Sequence, residues 1–325
     1  MARTFSELGR VEAIRQLFEG SGYSPFGEPL HCAAEAGESI SASRLFLEGT
    51  DFSLVYFPLK HLGYKCVVAV TGELYASLAH TRTLSVVLGI SAKLDYEQIS
   101  ELWEGIVAAA HEHGYSSLSL DLVPSRNGLA ISVSATGLSA TVERGMPESK
   151  DLVCVSGSLG AAYLGQQALE HERKDLETYK MLVKAYLKPE LSPETVAQVE
   201  NGGIVPSRSY LVSRGLSDAV LRLRRDSGLG VKVYADKIPF EGNSFSLGKE
   251  LDIDPVSAAM NGGDDFRLLF VVPIARYEDF RREFGGFDIV GHLARPEVGA
   301  VLVTPDGLEH RISAQGWQEE DVLNS

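Results

Sequence analysis

Two adjacent carboxylates behind a pair of glycines are the residues of this 325-residue sequence best suited to chemistry. Gly262 and Gly263 precede Asp264 and Asp265, and Phe266 opens an apolar run. Glycine frees the backbone for conformations that residues with a Cβ resist, so this segment can present two carboxylates at the mouth of a strand. The alternative is an ordinary helix-to-strand turn with two solvated acids.

Ordered elements are predicted on both sides of this loop. Asp254 followed by Pro255 is typical of an N-cap and a first helical position. Residues 266–272 predict a strand, and its apolar residues on both faces indicate that it is buried. We therefore expect the loop to be held between a helix and a core strand.

The overall charge limits what the protein binds. Thirty basic and forty-four acidic side chains give a formal net charge of -14, which argues against nucleic acid as a main partner. A phosphate ligand would need local compensation by metal ions, arginines or helix N-termini. The three cysteines form no CxxC motif, and no run of about 18 apolar residues occurs, so a cytoplasmic protein without a membrane span is expected.

The pattern of elements predicts an α+β (α/β) protein of two domains, residues 1–148 and 149–325. Asp95 can cap an amphipathic helix that ends at Gly114, and alternating apolar residues before and after it predict strands. Residues 64–79 fit either a strand or a helix. The polar stretch near residue 148 gives way to a buried-looking strand at 152–155, which places the boundary there.

Several further motifs occur in a fixed order along the chain. They are Ser6-Glu7-Leu8-Gly9, Phe57-Pro58-Leu59-Lys60-His61-Leu62-Gly63-Tyr64-Lys65, Asp151-Leu152-Val153-Cys154-Val155-Ser156-Gly157, Leu159-Gly160-Ala161-Ala162-Tyr163, Asp236-Lys237-Ile238-Pro239, Asn261-Gly262-Gly263-Asp264-Asp265-Phe266 and Gln315-Gly316-Trp317. With them the sequence resembles the thiamine-monophosphate kinase family. That family belongs to the superfamily of aminoimidazole ribonucleotide synthetase and selenophosphate synthetase, and the resemblance covers nearly the whole chain.

The resemblance implies a fold, a reaction and an assembly. An N-terminal α/β domain would dimerise through its sheet, and the active site would lie between it and a C-terminal α/β domain. The reaction would transfer the γ-phosphate of ATP to thiamine monophosphate, with several Mg²⁺ ions held by N-terminal aspartates. Metal ions are needed there because two phosphate-bearing anions must meet.

The sequence departs from this family mainly at the metal-binding acids. The family's Gly-Asp-Asp corresponds to Leu30-His31-Cys32, and its Thr-Thr-Asp to Ala42-Ser43-Arg44. Arg214 also replaces an aspartate, whereas Glu73 and Asp121 keep a carboxylate. Arginine cannot ligate Mg²⁺, so a multi-metal site becomes doubtful.

By resemblance, Asp121 and Arg214 are the expected catalytic residues, and Glu73 and Asp121 the expected metal ligands. ATP is expected to contact Ser43, Arg44, Glu73, Asp121, Gly157 and Gly160. The acceptor is expected to contact Gly262, Gly263, Asp264, Asp265, Phe266 and Trp317. A new soft-metal pair at His31 and Cys32 has no visible third ligand.

The two arginines admit two interpretations. Arg44 and Arg214 can grip phosphate directly as bidentate donors in place of the metal ions. Alternatively, they point to solvent or pair with Glu48 and Asp218. Three functions therefore remain open: a weak kinase for thiamine monophosphate or a related phosphomonoester, a non-catalytic nucleotide- or phosphate-binding protein, and ATP-dependent activation of an amide or carboxylate.

Overall fold

The computed structural model describes residues 10–18, 30–34, 37–173 and 175–318. Within this part of the chain, two mixed β-sheets carry helices on their faces, which confirms the α+β (α/β) prediction. None of the described helices is long and apolar enough to cross a membrane. A short helix, α1 (Arg10–Phe18), comes first.

The first sheet has five strands in the order β1-β2-β5-β3-β4. Its strands are β1 (Leu30–Ala34), β2 (Gly37–Leu47), β3 (Ala79–Ser91), β4 (Ser117–Ser125) and β5 (Ala130–Ser139). Only β3 and β4 pair in parallel among these neighbours, and β4 lies at an edge. Strand β1 pairs antiparallel with β2, and residues 19–29 and 35–36 lie outside the described part.

Two helices cover the inner face of this sheet, α2 (Leu59–Ala76) and α3 (Tyr96–Glu112). Asp95 caps α3 and forms a reciprocal capping box with Gln98, as the sequence predicted. The ambiguous segment 64–79 proves to be mostly the end of α2, whose residues are buried almost all round. The two helices touch backbone to backbone, because a Cβ on Gly105 would lie 1.9 Å from the carbonyl oxygen of Lys60.

The second sheet has seven strands in the order β12-β11-β8-β10-β6-β9-β7. They are β6 (Leu152–Ser156), β7 (Arg208–Val212), β8 (Gly230–Tyr234), β9 (Arg267–Val272), β10 (Phe287–Ala294), β11 (Ala300–Val303) and β12 (Glu309–Arg311). The helices around it are α4 (Ala161–Glu170), α5 (Lys180–Leu187), α6 (Thr195–Gly202), α7 (Leu216–Ser227), α8 (Ser244–Leu251), α9 (Pro255–Asn261) and α10 (Tyr277–Glu283). Strand β7 lies between α6 and α7.

Helix α2 also packs against the second sheet, so one hydrophobic core joins the two sheets. Leu211 on β7 and Leu268 and Phe270 on β9 belong to the same buried cluster as Val67 and Val70 on α2. The predicted domain boundary near residue 148 falls between β5 and β6, and it stays a prediction. The contact places the loop before β9 against α2.

Candidate functional site

The loop between α9 and β9 is bent by three left-handed residues. Gly263 has a φ of +84°, Asp264 of +60° and Phe266 of +47°. Left-handed backbone is uncommon for residues other than glycine, and such conformations persist only where the surroundings hold them. Helix α9 begins as predicted, since the Asp254 carboxylate accepts N–H donors from Val256 and Ser257.

Asp264 lies in a charged network that joins the two sheets. Its Oδ2 atom is 2.9 Å from Nζ of Lys65 on α2, and its Oδ1 atom is 3.3 Å from Nη2 of Arg44 on β2. The Lys65 side chain is only 3% exposed, whereas Asp264 and Arg44 are each 23% exposed. Two cations and one anion leave a formal charge of +1 at an opening that solvent reaches.

Aromatic rings surround the two cations of this network. The Lys65 Nζ atom lies 3.6 Å from the ring centre of Tyr186 and 5.3 Å from that of Phe57. The Arg44 guanidinium lies 5.0 Å from the ring centre of Phe46 and 5.3 Å from that of Phe266. Cations over aromatic faces gain about 0.5–2 kcal/mol each, so these rings help to fix both side chains.

The network keeps Asp264 ionised. Burial alone would raise the pKa of Asp264, but the charges of Lys65 and Arg44 outweigh it and hold the pKa below its usual range. Burial lowers the pKa of Lys65, against the attraction of Asp264. The carboxylate is therefore a fixed counter-ion, and the interpretation that Asp264 is a solvated acid is wrong.

Asp265 has a structural contact of its own. Its Oδ2 atom accepts the N–H of Gly160 at 2.7 Å, and its Oδ1 atom accepts the N–H of Ala162 at 3.1 Å. These donors lie at the N-terminus of α4, so the carboxylate caps that helix and is 4% exposed rather than solvated. Burial raises the pKa of Asp265 to about 6, although the two N–H donors oppose the change.

The shifted pKa of Asp265 predicts a pH-dependent contribution to stability. The carboxyl titrates near 6 in the native state and near 3.9 in an unfolded chain. Between these values the native state binds more protons, so the free energy of unfolding falls as the pH rises. The quantity to compare is the free energy of unfolding of the wild type minus that of Asp265→Asn. We expect this difference to be about 2 kcal/mol larger at pH 4.5 than at pH 7.5. Urea denaturation of both proteins at each pH measures this, and an equal difference at both pH values would contradict it.

The glycine-rich loop after β6 uses its own N–H groups within the protein. Gly157 donates to the carbonyl of Gly286, and Leu159 donates to that of Pro239. The N–H of Gly160 is taken by Asp265. A Cβ on Gly157, whose φ is +84°, would lie 3.3 Å from the Arg267 guanidinium carbon. These three N–H groups are engaged in protein hydrogen bonds, so the loop does not form an open phosphate cradle at Gly157 and Gly160.

An apolar pocket of about 660 Å³ borders the residues just before the Gly262-Gly263 turn. Met260 and Asn261 line it on this side, with Phe240 and Phe245 packed edge to face, their ring centres 5.0 Å apart. The exposed carboxylate of Asp236 also lines the pocket. Asp254, His310 and Arg311 line it as well. The aromatic rings and the two carboxylates can hold a flat cationic ring on their side of the pocket.

Two predicted residues lie around this loop in different settings. Arg214 is exposed and follows Ser213, whose carbonyl accepts the N–H of Asp264. Trp317 donates its Nε1–H to Asp218 at 2.9 Å, and the Arg225 guanidinium lies 5.6 Å from its ring centre.

Arg44 is paired with Asp264, so the alternative in which it pairs with Glu48 is wrong. Glu48 instead accepts the N–H of Leu129.

The structure does not bring the two expected metal ligands together. Glu73 lies on α2, on the inner side of the first sheet, 3.7 Å from Arg222. Asp121 and Ser43 lie on the opposite, exposed face, where Ser43 donates to Ser134. Among the described residues, no three His, Cys, Asp or Glu side chains converge as metal ligands do. The described part of the chain therefore does not fit a multi-Mg²⁺ site, and the side chains of His31 and Cys32 lie outside it.

Lys65 is the functional candidate that the sequence analysis did not single out. It stands within the apolar run of α2, between Tyr64 and Cys66, and it is buried. A lysine is almost never buried without a partner. That rule, applied to a helix buried all round, would have predicted a carboxylate partner for it, although not which one.

No family model matches the chain, but curated relatives align along most of it. The thiamine-monophosphate kinase of Aquifex aeolicus is 21% identical over 280 residues, which are 86% of this chain and 89% of that protein. The thiamine-monophosphate kinase of Methanopyrus kandleri is 26% identical over 248 residues, which are 76% of each chain. These relatives confirm the resemblance that the motifs indicated.

Solved structures agree over almost the whole length. The complex of AaThiL with AMPPCP and TMP superposes with a TM-score of 0.85 at 20% identity, covering 98% of this chain and 99% of that one. The chain has the fold of the aminoimidazole ribonucleotide synthetase superfamily. The hydrogenase maturation protein HypE of E. coli shares this fold, with a TM-score of 0.68 at 15% identity over 96% of this chain.

Proposed function

We propose that this chain is a thiamine-monophosphate kinase-like protein. It binds ATP and thiamine monophosphate, or a related phosphomonoester, and it transfers the phosphoryl group slowly. The observation that carries the proposal is the apolar pocket beside the Gly262-Gly263 turn, in a fold whose relatives are thiamine-monophosphate kinases along most of their length. The same proposal makes it a cytoplasmic protein.

The acceptor fits this pocket by its chemistry. The thiazolium ring of thiamine is flat and cationic, and the pocket offers the edge-to-face pair Phe240 and Phe245 with the carboxylate of Asp236. The phosphate ester of the acceptor would lie toward the exposed Arg214, because Gly262 and Gly263 are packed against Tyr163 and the carbonyl of Ser213. Arg214, exposed on the adjoining segment, is then the proposed catalytic group that stabilises charge on the transferred phosphoryl.

The charged network supplies the nucleotide side of the proposal. Arg44, Lys65 and Asp264 together carry a formal net charge of +1, and Arg44 remains partly exposed. A guanidinium can donate two parallel hydrogen bonds to a phosphate. We therefore assign Arg44 to the phosphates of ATP, and no step of this proposal uses a metal ion, because the described residues do not fit one.

Self-association through the first sheet is part of the proposal. Strand β4 is an edge strand exposed on both faces, with Leu122 51% exposed. On the outer face Leu45 is 53% exposed and Val87 36% exposed. An open edge beside exposed apolar residues favours pairing with a second copy, and Asp121 would then lie in the homodimer interface region.

A non-catalytic protein that binds nucleotide or phosphate is the second candidate. It is favoured by the separation of Glu73 and Asp121, which lie on opposite sides of the first sheet. Phosphoryl transfer needs charge stabilisation at the reacting oxygens, and binding does not. The two candidates share their ligands and differ in turnover.

Calorimetric titration with thiamine monophosphate tests the acceptor assignment. We expect Phe245→Ala to weaken binding about tenfold, because a cation loses an aromatic face worth about 1–2 kcal/mol. The Phe245 side chain is 57% exposed, so this change should leave the fold intact. Ile274→Ala is the matched control, since Ile274 is 56% exposed and lies outside the pocket. Equal affinity for Phe245→Ala and wild type, or no binding by the wild type, would refute the assignment.

A further inference from the structure

A second pocket, of about 610 Å³, opens on another side of the molecule from the acceptor pocket. It lies between α2 and α3, which cover the first sheet, and α5, α6 and α10, which pack around the second. We call it the side pocket. Among the described residues, none that lines the acceptor pocket or belongs to the Asp264 network lines this one. Its volume is in the range of small-molecule sites, which is about 300–1,000 Å³.

Arg267, at the start of β9, is the half-buried cation of the side pocket. Its Nη1 donates to the backbone carbonyl of Glu190 at 3.1 Å, and its Nε is buried without a hydrogen-bond partner. Within the described ranges, no carboxylate lies within 4.0 Å of its guanidinium nitrogens. A guanidinium has five N–H donors and a permanent charge, so Arg267 is suited to bind a carboxylate from a ligand.

Three cations share one carboxylate at this end of the side pocket. They are Lys184, Lys188 and Arg267, and the carboxylate is that of Glu190, 2.5 Å from Nζ of Lys184. The hydrogen bond from Lys184, together with the charges of all three cations, holds the pKa of Glu190 below its usual range against the effect of burial. The formal charge of this group is +2, so it can accept a further anion.

The opposite charge lies on the other side of an aromatic ring. Nζ of Lys188 is 5.0 Å from the ring centre of Tyr64, and the Tyr64 hydroxyl donates to the carboxylate of Glu112 at 3.0 Å. In the part of the chain that the structure describes, no lysine or arginine nitrogen lies within 4.0 Å of this carboxylate. Glu112 is exposed, and it is therefore open to a cation from a ligand.

The charges of the side pocket balance in number, but only one pair of them is in contact. The lining carries the three cations and three carboxylates, of which Glu283 lies 3.7 Å from Nε of Arg282 outside the pocket. A ligand with one sign of charge would therefore meet like charges on part of the wall. A ligand that carries both signs finds a partner for each.

An apolar surface separates the charged groups. Phe284 and Phe287 pack edge to face with their ring centres 5.8 Å apart, and Leu191 lines the pocket beside Glu190. Phe287 is half-buried and so keeps part of its ring at the pocket. The lining can thus hold an apolar group as well as two opposite charges.

We propose that the side pocket binds a small zwitterion with an apolar body, of the class of free amino acids with apolar side chains. Arg267 and Lys188 hold its carboxylate, and Glu112 holds its ammonium group. The apolar side chain lies against Leu191 and Phe287. This site goes beyond the proposed function, because it requires neither ATP nor a thiamine phosphate.

Isothermal titration of the full chain without nucleotide tests the site, with L-phenylalanine as the probe. N-acetyl-L-phenylalanine lacks the ammonium charge, and L-phenylalaninamide lacks the carboxylate. We expect L-phenylalanine to bind and each analogue to bind at least about tenfold more weakly, because each loses a charge-assisted hydrogen bond.

Arg267→Gln should weaken L-phenylalanine binding at least about tenfold and reduce the preference for it over the amide. This change removes one hydrogen bond to a carbonyl, and circular dichroism checks that the variant is folded. Lys188→Gln should weaken binding less, because Lys188 is exposed and its charge is screened. Lys180→Gln is its matched control, since Lys180 begins the same helix and pairs with Glu177 outside the pocket.

Phe245→Ala locates the bound probe, because it alters the acceptor pocket and leaves the side pocket intact. The site is supported when Arg267→Gln weakens binding of L-phenylalanine and both Lys180→Gln and Phe245→Ala leave it unchanged. Three results would each overturn the proposal: no binding to the wild type, equal affinity for the three probes, or binding that survives in Arg267→Gln and is lost in Phe245→Ala.

Discussion

Replacing Asp264 by asparagine is expected to lower the free energy of unfolding by about 3–5 kcal/mol, because it leaves a buried lysine without its counter-ion. Lys65 Nζ lies 2.9 Å from the Asp264 carboxylate, and its side chain is 3% exposed. Asparagine has nearly the same shape and tolerates the left-handed φ of +60° at this position, so the charge is the main change. Urea denaturation followed by far-ultraviolet circular dichroism measures the effect.

The double variant Lys65→Met/Asp264→Asn separates this cause from a general defect. It removes both buried charges and keeps an apolar side chain of similar length, so much of the lost stability should return. Asp121→Asn is the matched control, because Asp121 is exposed, and we expect it to change stability by less than about 0.5 kcal/mol. A loss below 1 kcal/mol for Asp264→Asn, or no recovery in the double variant, would contradict the role given to Lys65.

Arg44→Asp is expected to weaken ATP binding in EDTA by at least about tenfold. The change moves the local charge by two units and places a second carboxylate beside Asp264, which now pairs with Arg44 at 3.3 Å. It also replaces a bidentate phosphate donor with a group that repels phosphate. Adding Mg²⁺ should restore part of the affinity of this variant, because the new carboxylate pair offers hard oxygen ligands.

Calorimetry of ATP binding with and without Mg²⁺ checks this expectation. Arg44→Lys keeps the charge and loses the bidentate geometry, so its affinity should fall between those of wild type and Arg44→Asp. Arg276→Asp controls for net charge, because Arg276 is exposed elsewhere on the chain. Wild-type binding that disappears in EDTA would argue against a phosphate contact by Arg44, as would an Arg44→Asp variant with unchanged affinity.

Local patterns predicted those helices and strands whose own residues carry the signal, such as a cap or an apolar stripe. Asp95 and Gln98 form the capping box that begins α3, and its apolar stripe marks the buried face. Helix α2 was ambiguous because it packs between two sheets and has almost no polar face, so no helical period stands out. Strand β7 lies in a segment otherwise made of helices, and it is held by pairing with the distant strand β9.

The candidate site depends on long-range contacts that no local pattern encodes. Arg44 and Asp264 are 220 residues apart, and their pairing follows from the packing of α2 and β2 against the loop before β9. The adjacent acids Asp264 and Asp265 were treated as a pair. The backbone at Asp264, with φ near +60°, directs one carboxylate to Lys65 and the other to α4.

The two remaining acids show the limit of reasoning from a family pattern. Glu73 and Asp121 were expected to share a metal site, since relatives of the resembled family carry acids at both positions. Within one chain they lie on opposite sides of the first sheet, one on the helix layer and one on the exposed face. Asp121 faces away from the helices because the side chains of a strand alternate between its two faces, whereas Glu73 belongs to the helix that covers the other face.

Formation of thiamine diphosphate from ATP, Mg²⁺ and thiamine monophosphate is the measurement that tests the proposed function most directly. Purified wild type should yield product slowly, and the yield should fall at least about tenfold in Arg214→Gln, the proposed catalytic change. The activity of a contaminating kinase would not change in this variant. No product from a wild type that still binds both ligands would contradict the kinase and leave a non-catalytic binding protein of the same fold.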